Sequence, residues 1–202
     1  MLILESRSEE NEMGILGFHG TRRSEYSIGI APDSATRKIL GQQQRDTLGL
    51  FMKLLLDSGR YKEEPATKLV NRNAKTVFKA ITSGKLLELG EKKRLGISAR
   101  RKYGTDYIET LTEKGLENDA SVGFFMVSYY RASGIVGRQY KIAEYKRAGV
   151  KRVRISPCND GRDCRAIAKY ADEAFAIDEL PTLPLAECDA EYCRCWISPV
   201  VE

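Results

Sequence analysis

The sequence predicts a mainly α (α+β) fold, with a helical body and a small C-terminal strand-and-loop module. Three observations carry that prediction. Apolar residues recur at helical spacing through much of 33–149. Residues 150–155 instead alternate apolar and basic side chains, the period of a half-buried strand. All five cysteines then fall in the last quarter of the 202 residues. The chain accordingly divides into an irregular N-terminal arm (1–32), a helical body (33–149) and a Cys-rich module (150–202).

The arm holds Gly14, Gly17, Gly20, Gly29 and Pro32, too many turn formers for more than one short strand. Asp33 or Ser34 caps a first helix running to about Asp57, with Leu40, Leu48, Phe51, Leu54 and Leu55 as its apolar positions. Ser58 and Gly59 stop it. Pro65 suits the first turn of a second helix whose stripe is Val70, Ala74, Val77, Phe78 and Ile81, ending at Ser83 and Gly84. Thr105 caps a third. On it Asp106, Glu109, Glu113 and Glu117 form one solvated face, not an acid–base pair, while Ile108, Leu111 and Leu116 turn inward. A longer helix runs from Ser121 to Ala148, carries Phe124, Phe125, Val127, Tyr130, Ile135, Val136, Tyr140 and Ile142, and closes at Gly149.

Apolar residues make up 42% of the chain and charged ones 30%, a balance that supports both a core and a solvated surface. The apolar run at the N-terminus is too short for a signal peptide, and no later stretch approaches the ~20 residues of a membrane span. The expectation is a soluble cytoplasmic chain with no membrane contact. Net charge is +5, but residues 157–202 hold four Lys/Arg against ten Asp/Glu, a net −6, leaving +11 on the rest. A basic body of this kind suits nucleic acid or another polyanion. Two triplets, Lys92, Lys93, Arg94 and Arg100, Arg101, Lys102, form a candidate phosphate-contacting patch. They also read as a solvated connection between helices, since no aromatic residue interrupts either triplet.

The cysteines are odd in number and follow no secretion signal, which favours metal binding over a disulfide framework. Five residues separate Cys158 from Cys164. After 23 more come Cys188, Cys193 and Cys195, spaced by four residues and by one. Two such clusters can bring four thiolates around one tetrahedral zinc in a zinc-ribbon-like module. The expected set is Cys164, Cys188, Cys193 and Cys195, with Cys158 as the substitute. An all-thiolate set leaves no open position for a substrate, so the zinc would be structural. The other reading is a module of free, buried cysteines packed on Ile155, Ile167, Tyr170, Phe175, Leu183, Leu185 and Trp196. Pro181 and Pro184 force extended backbone ahead of the second cluster.

Several of these segments recur in order: Arg131, Gly137 and the run Tyr145 to Arg154 containing Ala148-Gly149-Val150; Asp160 to Ile167 around Cys164; Phe175 to Pro184; and Cys193-Arg194-Cys195. Together they resemble the phage head morphogenesis (MuF-like minor head protein) family over residues 128–196, a third of the chain. The chain departs from that pattern at Ile167, where the family has a second cysteine, and at Ala190 to Tyr192, where it has His-Pro. Cys158 and Cys188 are the candidates to replace the missing ligands. The resemblance implies a non-enzymatic minor head or assembly protein, present in the host cytoplasm during assembly and then in the virion. Its implied partners are portal or capsid proteins, DNA, or further copies of itself. A small zinc-module nucleic-acid-binding protein is the alternative.

Phe18-His19-Gly20-Thr21 also resembles the histidine strand of ADP-ribosyltransferases, a third reading that routes any catalysis through His19. His19 is the single histidine of the chain, so Ser-His or Cys-His chemistry would pass through it as well. No Walker lysine loop and no G-x-G-x-x-G is present.

Overall fold

The computed structural model describes residues 33–159, 161–170 and 173–200, with the side chains of 118–120 excepted. Lys38–Glu202 forms one compact unit. Met1–Arg37 belongs to another, of which the described part is the first turn of α1. The expected arm at 1–32, His19 included, lies outside the described residues.

Helix α1 (Ser34–Asp57) starts where predicted, with the Thr36 N–H donating to the Asp33 carboxylate at 2.7 Å. Its buried residues Thr47, Phe51 and Leu55 are four apart, one stripe along the helix. Leu40, expected among the apolar positions, is 52% exposed. Helix α2 (Glu63–Arg72) is shorter than the stripe suggested. Asn73 folds back to donate from its side chain to the Leu69 carbonyl, and a turn leads into a 3-10 helix at Val77–Thr82. The three-residue period of that turn stacks Val77 and Ala80, both buried, on one side.

A short α3 (Leu89–Arg94) follows, opened by a reciprocal capping box between Glu88 and Glu91. The predicted third helix is two pieces, α4 (Thr105–Glu109) and α5 (Glu113–Ala120). The break has a tertiary cause. Residues 110–112 pair with 60–62 instead of continuing the helix: Lys62 N donates to Thr110 O at 2.7 Å and Thr112 N to Arg60 O at 3.0 Å. Gly115 lets this pairing close, because a Cβ there would overlap the Arg60 carbonyl.

Helix α6 (Val122–Arg147) is the spine of the molecule. Ser121 precedes it in the left-handed region (φ 54°), turning the chain sharply out of α5. One face of its N-terminal half buries Val122, Phe125, Ser128 and Ala132. There Phe125 meets Phe51 edge to face at 5.0 Å and Tyr107 at 5.5 Å. This aromatic cluster, with Leu55, Leu69, Val70 and Tyr103, is the core of the body.

Gly149 (φ 76°) ends α6, and the chain enters β1 (Arg152–Ser156). With β2 (Ala174–Ala176) and β3 (Trp196–Pro199) it forms an antiparallel sheet of three strands in the order β2-β1-β3. Val153 and Ile155 are fully buried and Arg152 and Arg154 exposed, the alternation expected of the sequence. Val153 lies opposite Phe175, and Ile155 opposite Ile197. These residues join Ile167, Leu183 and Leu185 in a second core. Trp196, expected in that core, is 55% exposed: Ile197 takes the inner side of β3, and period two puts its neighbour outside. Among the described residues no helix is long and apolar enough to cross a membrane.

Candidate metal centre

Three loops deliver the cysteines, and each has its own local cause. After β1 the chain turns through Asn159 (φ 56°) and Gly161 (φ 76°). The Asp163 carboxylate closes that turn by accepting the backbone N–H of Cys158 at 2.9 Å and of Asn159 at 2.6 Å. Cys164 follows, buried, at the N-cap of a 3-10 helix (Arg165–Lys169). The second loop is pinned by buried Leu183 and Leu185, and Cys188 N donates to Leu185 O at 3.0 Å. Asp189 then accepts the Arg165 N–H at 3.0 Å, tying the Cys188 loop to the residue after Cys164. The third segment, entering β3, carries Cys193 and Cys195, both buried.

Four thiols meet there. Their thiols lie near enough to perturb one another: Cys188 is affected by Cys164 and Cys193, Cys193 by Cys195 and Cys188, and Cys195 by Cys193, Cys164 and Cys188. These are the four expected as the ligand set. Cys158 stands at the rim, exposed, with its thiol donating to the Arg194 carbonyl at 3.0 Å. All five cysteines are free thiols.

The cluster is electrostatically uneven. The Cys195 thiol donates to Cys193, and with the nearby Arg138 charge it holds Cys193 down at about 6, against the opposing effect of burial. Cys195 is pushed far up by that same hydrogen bond and by burial. Burial, with Cys164 beside it, raises Cys188 to about 11.

Four soft sulfur donors on three loops inside a small core suit a thiophilic cation such as zinc. Among the described residues no group of three or more His, Cys, Asp or Glu side chains is arranged to hold a metal ion. Ligation would require the four thiols to lose their protons and turn toward one centre.

Helix α6 holds the third segment in place. The Arg131 side chain donates to Glu191 O at 2.7 Å, Arg138 to Cys193 O and Cys195 O at 3.3 and 3.4 Å, and Tyr145 to Ile197 O at 3.3 Å. The three donors are seven residues apart on one face of the helix, and their acceptors are alternate carbonyls of an extended chain. Tyr130 stacks on Tyr192 at 5.3 Å beside them. Sequence reasoning had singled out Arg131 and Tyr145 and missed Arg138. The seven-residue interval was the available signal.

The basic triplets come together as well. The chain leaves the body at Leu86 and returns at Gly104, which pair as an isolated bridge, and Leu87 N donates to Tyr103 O at 2.9 Å. Lys92 reaches Ala99 O at 3.3 Å across this excursion, bringing the last turn of α3, with Lys93 and Arg94, beside the returning Arg100, Arg101 and Lys102. The carboxylates of the third predicted helix are divided between two helices, and Asp106 is committed to Arg72 at 2.7 Å and Ser83 at 2.9 Å.

Compared with protein-family models, curated proteins and solved structures, the chain matches none of them.

Proposed function

We propose that this protein is a non-enzymatic assembly component of the phage minor head type, whose C-terminal module is stapled by one structural zinc ion. The observation that carries the reading is the convergence of Cys164, Cys188, Cys193 and Cys195, from three loops, inside the second core. Those four would hold the ion, which when bound supplies a cross-link between loops. Binding of this kind contributes on the order of 10 kcal/mol to the folding of small zinc modules. The rest follows from the chain's own residues. The sheet and the Leu183–Leu185 region exclude water from the sulfurs, and α6 fixes the loop that bears two of them. A stapled end on a long helix suits an assembly role, in which the module presents a fixed surface to a portal or capsid protein.

Elemental analysis of the purified full chain tests the metal: about one zinc per chain is expected, and a metal-free protein of equal stability would remove the staple. Gene context and co-expression with any portal protein encoded nearby test the assembly role. A stable complex supports it, and a chain encoded far from any capsid or portal gene that co-purifies with none counts against it.

A second reading, nucleic-acid contact, is favoured by the basic excursion at 86–104. Lys93, Arg94, Arg100 and Lys102 lie on one closed loop, anchored by buried Leu87, Ile97 and Tyr103. Affinity for duplex DNA of arbitrary sequence should then fall with salt, with a log–log slope of about −0.9 per phosphate neutralised. Binding that survives Lys93→Glu with Arg100→Glu would sink it.

A further inference from the structure

We propose that Arg138 is the built-in counter-charge and positioning residue of the tetrathiolate centre. This inference rests on the zinc reading above and says how the fold accommodates that centre. Four thiolates around a divalent cation leave two net negative charges. A buried anion of that kind is unfavourable unless a fixed positive charge or oriented donors face it.

Helix α6 places one guanidinium there. A single Arg138 terminal nitrogen reaches the carbonyl oxygens of both Cys193 and Cys195, at 3.3 and 3.4 Å. Those bonds are long and shared, so they hold the group without saturating it. The Arg138 Nε is buried and has no hydrogen-bond partner. Such an orphaned donor is costly in a core and calls for an explanation. A neighbouring charged sulfur supplies one, because charged acceptors make the stronger hydrogen bonds.

The helix has also made room for this contact. A Cβ on Gly134 would stand 3.2 Å from the Arg138 terminal nitrogen and 3.5 Å from Cys193 O. A glycine in mid-helix lowers helix stability relative to alanine. Here it allows the cysteine segment and the guanidinium to meet one turn apart on the same face.

The test is zinc affinity of the full chain, measured by competition with a chromophoric chelator, alongside the thiolate charge-transfer band of the cobalt(II) form. Arg138→Gln is expected to weaken zinc by about 10–100-fold, the range for losing an outer partner of a metal ligand. Arg138→Lys, which keeps the charge, should recover most of that loss. Gly134→Ala offers an independent route: its Cβ, 3.2 Å from the Arg138 terminal nitrogen, pushes that group by a few tenths of an ångström, so a smaller loss of zinc affinity is expected without a fall in helix content. If Arg138→Gln shifts the overall fold, Arg138→Met, which keeps the length of the side chain without its charge, takes its place. Wild-type affinity in Arg138→Gln and Gly134→Ala would overturn the role of Arg138 and leave the zinc site standing. Equal losses in the Gln and Lys variants would overturn the counter-charge. A wild-type chain that takes up neither zinc nor cobalt would overturn the zinc reading, and this inference with it.

Discussion

Buried polar side chains at the joint before α6 show how single residues hold the body together. Tyr61 is 5% exposed; its hydroxyl meets the Tyr107 hydroxyl at 3.2 Å and donates to Ser121 O at 3.1 Å. Burial raises its pKa above the ordinary tyrosine range, so it remains a donor throughout the usual pH range. Tyr61→Phe keeps the ring and removes both bonds, with an expected cost of about 1–2 kcal/mol in urea unfolding. A different residue pair should appear in the pH dependence. Asp46 accepts from Tyr140 at 2.7 Å and from Gln42 at 2.7 Å, and these bonds, Tyr140's first, lower its pKa. A carboxyl with a lowered folded pKa contributes stability above its unfolded value and loses it as pH falls through the folded one. Wild type should therefore exceed Tyr140→Phe in stability at neutral pH. The gap should close on acidification below the ordinary aspartate range. Parallel thermal melts across that window check it, and a gap that is unchanged at low pH would refute the assignment.

The elements break where tertiary pairing competes with helix propensity. α4 and α5 carry a joint pattern that suits one helix, yet backbone bonds to residues 60–62 divide them. Thr112 shows how the cost is offset. Its hydroxyl accepts from Gly115 N at 3.2 Å, capping α5, and donates to Gly59 O at 2.9 Å. Thr112→Ala loses the cap and the cross-link together, so a destabilisation of about 1–2 kcal/mol is expected from chemical denaturation. A change within experimental noise would mean the pairing at 110–112 holds without it.

Across the whole molecule, α6 links two cores of different character. Its first half packs into the aromatic body, and its second half hydrogen-bonds to the cysteine segment and pairs Lys146 with Asp178 at 2.6 Å. The body core contains no cysteine, whereas the module core contains Cys164, Cys193 and Cys195 among its buried residues. If the module holds the proposed zinc, its removal should act unevenly. With a strong chelator, amide hydrogen exchange is expected to accelerate across 150–200 by orders of magnitude while α1 and the first half of α6 stay protected. Uniform acceleration along the chain, or none, would contradict the division of stability drawn here.

The sequence by itself determined the elements whose signals are local. The Asp33 cap, the stop at Gly149 and the alternation of β1 each depend on a few neighbouring residues, and each stands where the pattern placed it. Spacing also suggests Cys164, Cys188, Cys193 and Cys195 as a ligand set with Cys158 as the substitute, which stays a proposal. Tertiary structure decided what depends on residues far apart. It divided the third helix, shortened the second, turned Trp196 outward and drew the two basic triplets together across the excursion at 86–104. It also set Arg138 against the carbonyls of Cys193 and Cys195, more than fifty residues away along the chain. Local propensities differ by a few tenths of a kcal/mol per residue. Pairing, burial and the placement of a charge beside a cluster of sulfurs outweigh such differences, and none of them exists until the chain has closed on itself.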